Sequence, residues 1–151
     1  MAILELLDKN NILYKVVDCS DDDFYSKVPS DIISYLNCMG RKIKINVTAY
    51  GSACTTLYSI DEIKIEQNEV CTANNLLVVG CGLNGDLLTI NVTNSKVGYV
   101  FHDELWEEIY DEFEDIYVEM PLSIEEFIRM ALEDKNYPID GFMAEELFKL
   151  S

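Results

Sequence analysis

The stretch that decides the fold is Leu76–Asp103, LLVVGCGLNGDLLTINVTNSKVGYVFHD. Leu76–Cys81 is an almost unbroken apolar run, the pattern of a strand buried on both faces. Asn84-Gly85 follows, two residues that tolerate positive φ and so suit a tight two-residue turn. Leu87–Val92 is aliphatic and β-branched. Thr93-Asn94-Ser95 marks a second turn, and Val97–Phe101 a third strand. The expectation is an antiparallel meander at the centre of a domain that mixes helices and strands. In the first turn, Asn84, Gly85 and Asp86 are the structural residues. Gly85 should carry positive φ, and the Asp86 carboxylate should accept from nearby backbone amides.

Working outward, Lys42–Tyr50 alternates Ile43, Ile45, Val47 and Ala49 with Lys44, Asn46 and Thr48, a strand with one wet face. Thr56–Ile60 reads as a shorter strand and Ser59–Glu66 as one or two helical turns. Towards the N-terminus, Ala2–Leu7 reads as a short helix and Leu13–Val17 as an edge strand or extended connector. Ser20-Asp21-Asp22-Asp23 has the capping side chains and acids of a helix start. Ser30–Met39 shows helical spacing, with Gly40 as its stop. After the meander, Leu105, Trp106, Ile109, Tyr110 and Phe113 predict an amphipathic helix over 103–114 whose apolar side faces inward. Ile116–Val118 is extended. Ser123 with Glu126 forms a capping box, opening a helix whose apolar side is Ile124, Phe127, Ile128, Ala131 and Leu132. A last helix covers Gly141–Leu150. The fold class is therefore α+β: one domain spanning 1–151, a mainly antiparallel twisted sheet, and helices on one face and at the termini. Its strands are 42–50, 76–81, 86–92 and 97–101.

Composition bounds the function. The chain has 151 residues and is 49% hydrophobic. Folding at this length buries about 68–70% of the extended-chain surface, enough for a core without metal or disulfide. The net charge is −17. Such a surface repels phosphate backbones and anionic membranes, which excludes nucleic acid and membrane as partners and favours a basic protein. The charge is uneven. Residues 1–101 hold 12 acidic and 8 basic side chains, residues 102–151 hold 16 and 3. Asp103–Glu119 contains nine carboxylates and no Lys or Arg. Such runs are usually solvated helix faces. The interleaved aromatics Trp106, Tyr110, Phe113 and Tyr117 add the reading of a docking surface.

Five cysteines with no CxxC argue against both a disulfide framework and a zinc site. Cys38 and Cys81 have apolar neighbours and read as core residues. The first residues are too short and too acidic for a signal peptide. No run has the length of a membrane span, and a cytoplasmic location is expected. His102 is the only histidine. With Asp103 it forms a potential acid–base pair, though a lone histidine beside an acid is more often structural. Gly80, Gly82 and Gly85 match G-x-G-x-x-G loosely, but the strand pattern that follows, and Asp86, suit no pyrophosphate. No nucleophile motif and no calcium loop is present. No catalytic, metal or cofactor constellation is expected.

The order of elements resembles the SUKH superfamily, the Smi–Knr-type fold of fungal cell-wall regulators and bacterial immunity proteins. The resemblance rests on Val28-Pro29, the helix to Gly40, Leu76–Val79, Gly85-Asp86, Val97-Gly98-Tyr99-Val100, His102-Asp103 and Ser123-Ile-Glu-Glu-Phe127. Met39-Gly40-Arg41 stands where the pattern has Asn-Gly-Gly, and the acidic helix is longer than the usual linker. The resemblance implies a cytoplasmic immunity protein that binds and neutralises a basic toxin, most often a nuclease, of a bacterial polymorphic toxin system. The partner-binding candidates are Glu104, Glu107, Glu108, Asp111 and Glu112 as outward charges. Trp106, Tyr110 and Tyr99 are anchors if their rings prove exposed. The alternatives are a generic acidic adaptor of the same fold, or an enzyme using His102, Asp86 and Asp103. The oligomeric state is open.

Overall fold

The fold is that of a computed structural model, which describes residues 2–46, 54–134 and 137–148. Six strands form one sheet in sequential order, and every neighbouring pair is antiparallel. They are β1 (Ile43–Asn46), β2 (Cys54–Leu57), β3 (Leu76–Cys81), β4 (Leu87–Asn91), β5 (Val97–Val100) and β6 (Tyr117–Glu119). The helices are α1 (Ala2–Lys9), α2 (Ser30–Leu36), α3 (Ile60–Glu66), α4 (Glu69–Ala73), α5 (His102–Glu107), α6 (Ile124–Arg129) and α7 (Gly141–Phe148). The α+β class and the antiparallel meander are as expected. No described helix is long and apolar enough to cross a membrane.

The centre of the sheet follows its composition. Every residue from Leu76 to Gly80 is buried, as are Leu87–Ile90 and all of β5. Helices α3 and α4 lie against β3, and α7 lies against β5 and β6. α1 contributes Ile3, Leu6 and Leu7 to the core, and α6 contributes Ile124, Phe127 and Ile128. At β1, Ile43 and Ile45 are buried and Lys44 is exposed, the expected alternation. The expected continuation of that strand over 47–50 lies outside the described residues. The expected capping box at Ser123 forms, and Ser59 with Glu62 forms another. Glu62 N donates to Ser59 Oγ at 3.3 Å and Ser59 N to Glu62 Oε1 at 3.1 Å. Glu126 N donates to Ser123 Oγ at 3.1 Å and Ser123 N to Glu126 Oε1 at 2.9 Å. Each box satisfies backbone donors that a helix start leaves free.

Several local expectations are corrected. Ser20–Asp23 does not open an α-helix. Asp22 caps only a 3-10 turn over Asp23–Tyr25, accepting from Phe24 N at 2.9 Å. Pro29 follows too soon, because the residue before a proline is pushed out of helical conformation. The helix begun at Ser30 ends at Leu36, with Asn37 as its cap, rather than at Gly40. Gly40 serves a different need. Its N–H donates to Lys15 O at 2.8 Å, and a Cβ there would stand 2.7 Å from that oxygen. The 13–17 connector can therefore lie close against it, bridging Lys15 to Met39 in parallel. Helix α4, capped by Asn68 through Cys71 N at 2.9 Å, was not foreseen.

The β3–β4 loop has three residues rather than two. Gly82 N donates to Asp86 O at 2.8 Å and Gly85 N to Gly82 O at 3.1 Å. Gly85 has φ +96°, the left-handed residue that completes such a loop. Beyond it, Asp86 is 2% exposed. Its Oδ1 accepts from His102 N at 3.2 Å, and its Oδ2 accepts from Gly141 N at 2.9 Å. His102 Nδ1 also lies 2.8 Å from Oδ1. One buried carboxylate thus joins the turn to the first residues of α5 and α7.

Two predictions follow from this turn. A Cβ at Gly85 meets only the His102 ring, at ordinary contact distances of 3.5 Å and more. Gly85→Val therefore loses stability chiefly through backbone strain, about 1–2 kcal/mol, and a thermal melt equal to the parent's contradicts the assignment. Asp86→Ala strands the buried Gly141 amide and both His102 donors. It should cost roughly 3 kcal/mol, which lowers the melting temperature by about 6–12 °C at this size.

Candidate functional site

The acidic segment after β5 is built differently from its sequence pattern. Apolar spacing predicts one helix over 103–114. Instead α5 stops at Glu107, and Phe113–Ile116 forms a separate 3-10 turn before β6. Glu108 takes the left-handed conformation, φ 58° and ψ 33°. Its N–H reaches Leu105 O at 3.3 Å, and Ile109 N reaches Glu104 O at 3.1 Å, the two bonds of a Schellman stop. Charge explains the break. A longer helix would stack Glu104 with Glu108, Glu107 with Asp111 and Glu108 with Glu112 at i,i+4. Each like-charged pair opposes the helix by about 0.2–0.5 kcal/mol. The same acids would crowd the negative end of the helix dipole.

The break turns the apolar side chains around. Leu105 and Ile116 remain buried, and Phe113 packs at the margin of the core. Trp106 is 59% exposed and Ile109 is 63% exposed, against the expectation that both face inward. Tyr110 is half-buried against the core. Tyr99 is not an anchor. It is fully buried, its hydroxyl donates to Pro138 O at 2.8 Å, and burial pushes its ionisation well above the ordinary tyrosine range. Among the partner-binding carboxylates, Glu107, Glu108, Asp111 and Glu112 are exposed and Glu104 is half-buried. None of the five forms an ion pair with a Lys or Arg among the described residues. Glu112 and Asp115 cap the 3-10 turn reciprocally, Glu112 N donating to Asp115 Oδ2 at 3.1 Å.

A second exposed aromatic, which the sequence pattern did not reveal, sits at the start of α7. α7 starts at Gly141, on the same Asp86 carboxylate that holds the start of α5. Phe142 is exposed and rests on the Phe101 ring, with centroids 5.1 Å apart. Glu145, Glu146 and Leu147 are exposed beyond it. Trp106 lies four residues into α5, about 6 Å along the axis from His102. The helices that carry exposed Trp106 and Phe142 thus begin at one carboxylate, and Glu107 of α5 forms no ion pair with a Lys or Arg among the described residues. The available signal was that α7, GFMAEELF, has more large apolar residues than one buried stripe can use.

His102 is the remaining polar centre. Its Nδ1 faces Asp86 Oδ1 at 2.8 Å and its Nε2 faces Asp103 Oδ1 at 3.1 Å. The arrangement clamps α5 to the β3–β4 turn. Gly80, Gly82 and Gly85 lead into β4 and open no helix, so they form no pyrophosphate cradle. No cluster of metal-ligating side chains occurs among the described residues. Cys38 is buried and Cys81 half-buried.

Comparison with models of protein families, with curated proteins and with solved structures finds no match to this chain.

The left-handed Glu108 generates a prediction. Glycine at that position relieves the side-chain strain of the Schellman stop and removes one of the mutually repelling charges. Glu108→Gly should raise stability by about 1 kcal/mol, read as a higher denaturant midpoint with an unchanged slope. A lower midpoint would mean that Glu108 makes a stabilising contact.

Proposed function

We propose that this chain is an immunity protein: a binder, not an enzyme, that neutralises a basic toxin, a nuclease, by occupying its active surface. The observation that carries the reading is the face formed by α5, residues 108–112 and α7. There Trp106, Ile109 and Phe142 stand exposed, and Glu107, Glu108, Asp111 and Glu112 form no ion pair with a Lys or Arg among the described residues. Large exposed aromatics supply the anchors on which protein interfaces depend. Unpaired acids supply complementarity to a cationic surface and speed the encounter. A nuclease must be cationic where it holds phosphate, so an acidic binder competes for that surface. The likeness of the element order to the SUKH superfamily, with Val28-Pro29, Gly85-Asp86 and Ser123–Phe127 at its markers, supports the same reading and a cytoplasmic site of action. A generic adaptor would use the same face on a different basic protein.

The test is kinetic. Glu107, Glu108 and Asp111 are exposed and contribute no apolar packing to the core. Replacing all three by Lys should leave the fold intact. It should slow association with the basic product of the neighbouring gene, measured against salt. The parent rate should fall as salt rises, because exposed charge is screened beyond about 8 Å at physiological ionic strength. The variant's dependence should reverse. Equal rates for parent and variant would move the interface elsewhere, and no binding by the parent would favour the adaptor.

A further inference from the structure

The charge map has one exception. In a chain of net charge −17, the four residues Arg41 to Lys44 carry three of the eleven basic side chains. They lead into β1, which among the described residues ends the sheet and pairs with β2 alone. Lys42 is held by Glu62 at 3.0 Å. Arg41, Lys44 and Lys15 are exposed and form no ion pair among the described residues. The backbone brings Lys15 to the same place, since Gly40 N donates to Lys15 O at 2.8 Å. Beside β1 lies a cleft of about 400 Å³, lined by Asn11, Ile12 and exposed Leu13 and by residues 41–44, with no carboxylate in its walls.

An edge strand offers unpaired backbone donors and acceptors, and lysine on an edge ordinarily discourages pairing. That discouragement is selective. It works against basic and neutral strands and favours an acidic one. We propose that β1 and its cleft receive an extended acidic segment of a partner protein, which joins the sheet as an additional strand. Alternation sets the chemistry of the segment. Carboxylates at every second position face Lys42 and Lys44, while the apolar residues between them extend the row of Ile43 and Ile45. Main-chain bonds to β1 hold the segment, and the side chains select it. The net charge opposes such a ligand at long range. At physiological salt only charges within about 8 Å act strongly, and there the segment meets cations. The inference is independent of the toxin-binding reading, since it concerns a different edge and the opposite charge.

The probe is a fluorescein-labelled peptide, blocked at both ends and alternating Glu with Val over about eight positions. It is titrated into the full chain at physiological salt. The expected result is saturable binding that weakens about tenfold or more in R41E/K44E, as reversal of the Lys44 cross-strand pair and of the Arg41 charge lining the cleft implies. E107K/E108K should bind as the parent does. Three results overturn the proposal: no saturable binding, equal binding by R41E/K44E, or equal binding of a peptide with the same charge but proline at alternate positions. Proline cannot extend the ladder. Sedimentation provides a further check. A parent dimer that R41E/K44E dissociates would mean that a second copy occupies the edge, which also refutes the proposal. Should R41E/K44E fail to melt like the parent, R41Q/K44Q replaces it, with an expected loss of several-fold.

Discussion

The carboxylate of Asp86 holds together parts of the molecule that the chain separates widely. A buried charge is strongly unfavourable unless it is paired and hydrogen-bonded. Asp86 meets that demand with donors from His102 and Gly141, which lie 16 and 55 residues away. Its position depends on the turn before it, where Gly85 at φ +96° lets the chain reverse within three residues. Turn, carboxylate and two helix starts form one unit. The exposed face inherits its shape from that unit, because Trp106 and Phe142 are each placed by a helix that begins there.

The sheet was legible in the sequence wherever period and turn chemistry agreed. Leu76–Gly80 reads as buried on both faces and is so, and Ile43, Lys44 and Ile45 alternate as their pattern requires. Ser123 and Glu126 announced α6 through a box that side chains alone can specify. The errors also have physical causes. α4 is five residues long and rests on an Asn68 cap, so no periodic window contains it. The 103–114 helix was overextended because apolar spacing was read without the i,i+4 charge conflicts that the same residues create.

The candidate site was legible in its charges and illegible in its anchors. Glu107, Glu108, Asp111 and Glu112 are exposed as their composition suggests. The aromatics reversed roles. Tyr99 went to the core, where Pro138 O accepts its hydroxyl, and Trp106 went to solvent. Which of two aromatics is buried depends on where a helix stops, and α5 stops at a left-handed glutamate. Phe142 joins the face through the contact of Gly141 with Asp86 across 55 residues, which no local pattern encodes.

Sequential strand order gives the molecule a polarity. β1 lies at one edge of the sheet, and β5 and β6, which flank the acidic segment, lie at the other. Neighbouring strands are about 4.8 Å apart, so six strands set the edges roughly 24 Å apart. That is about three screening lengths at physiological ionic strength. The cations around β1 therefore do little to neutralise the carboxylates of residues 103–119. Each end presents its own field to an approaching molecule. A cationic molecule would be favoured at the end that carries the carboxylates of residues 103–119 over the end that carries Arg41 and Lys44. The same sequential sheet that makes the fold simple keeps the two charges apart.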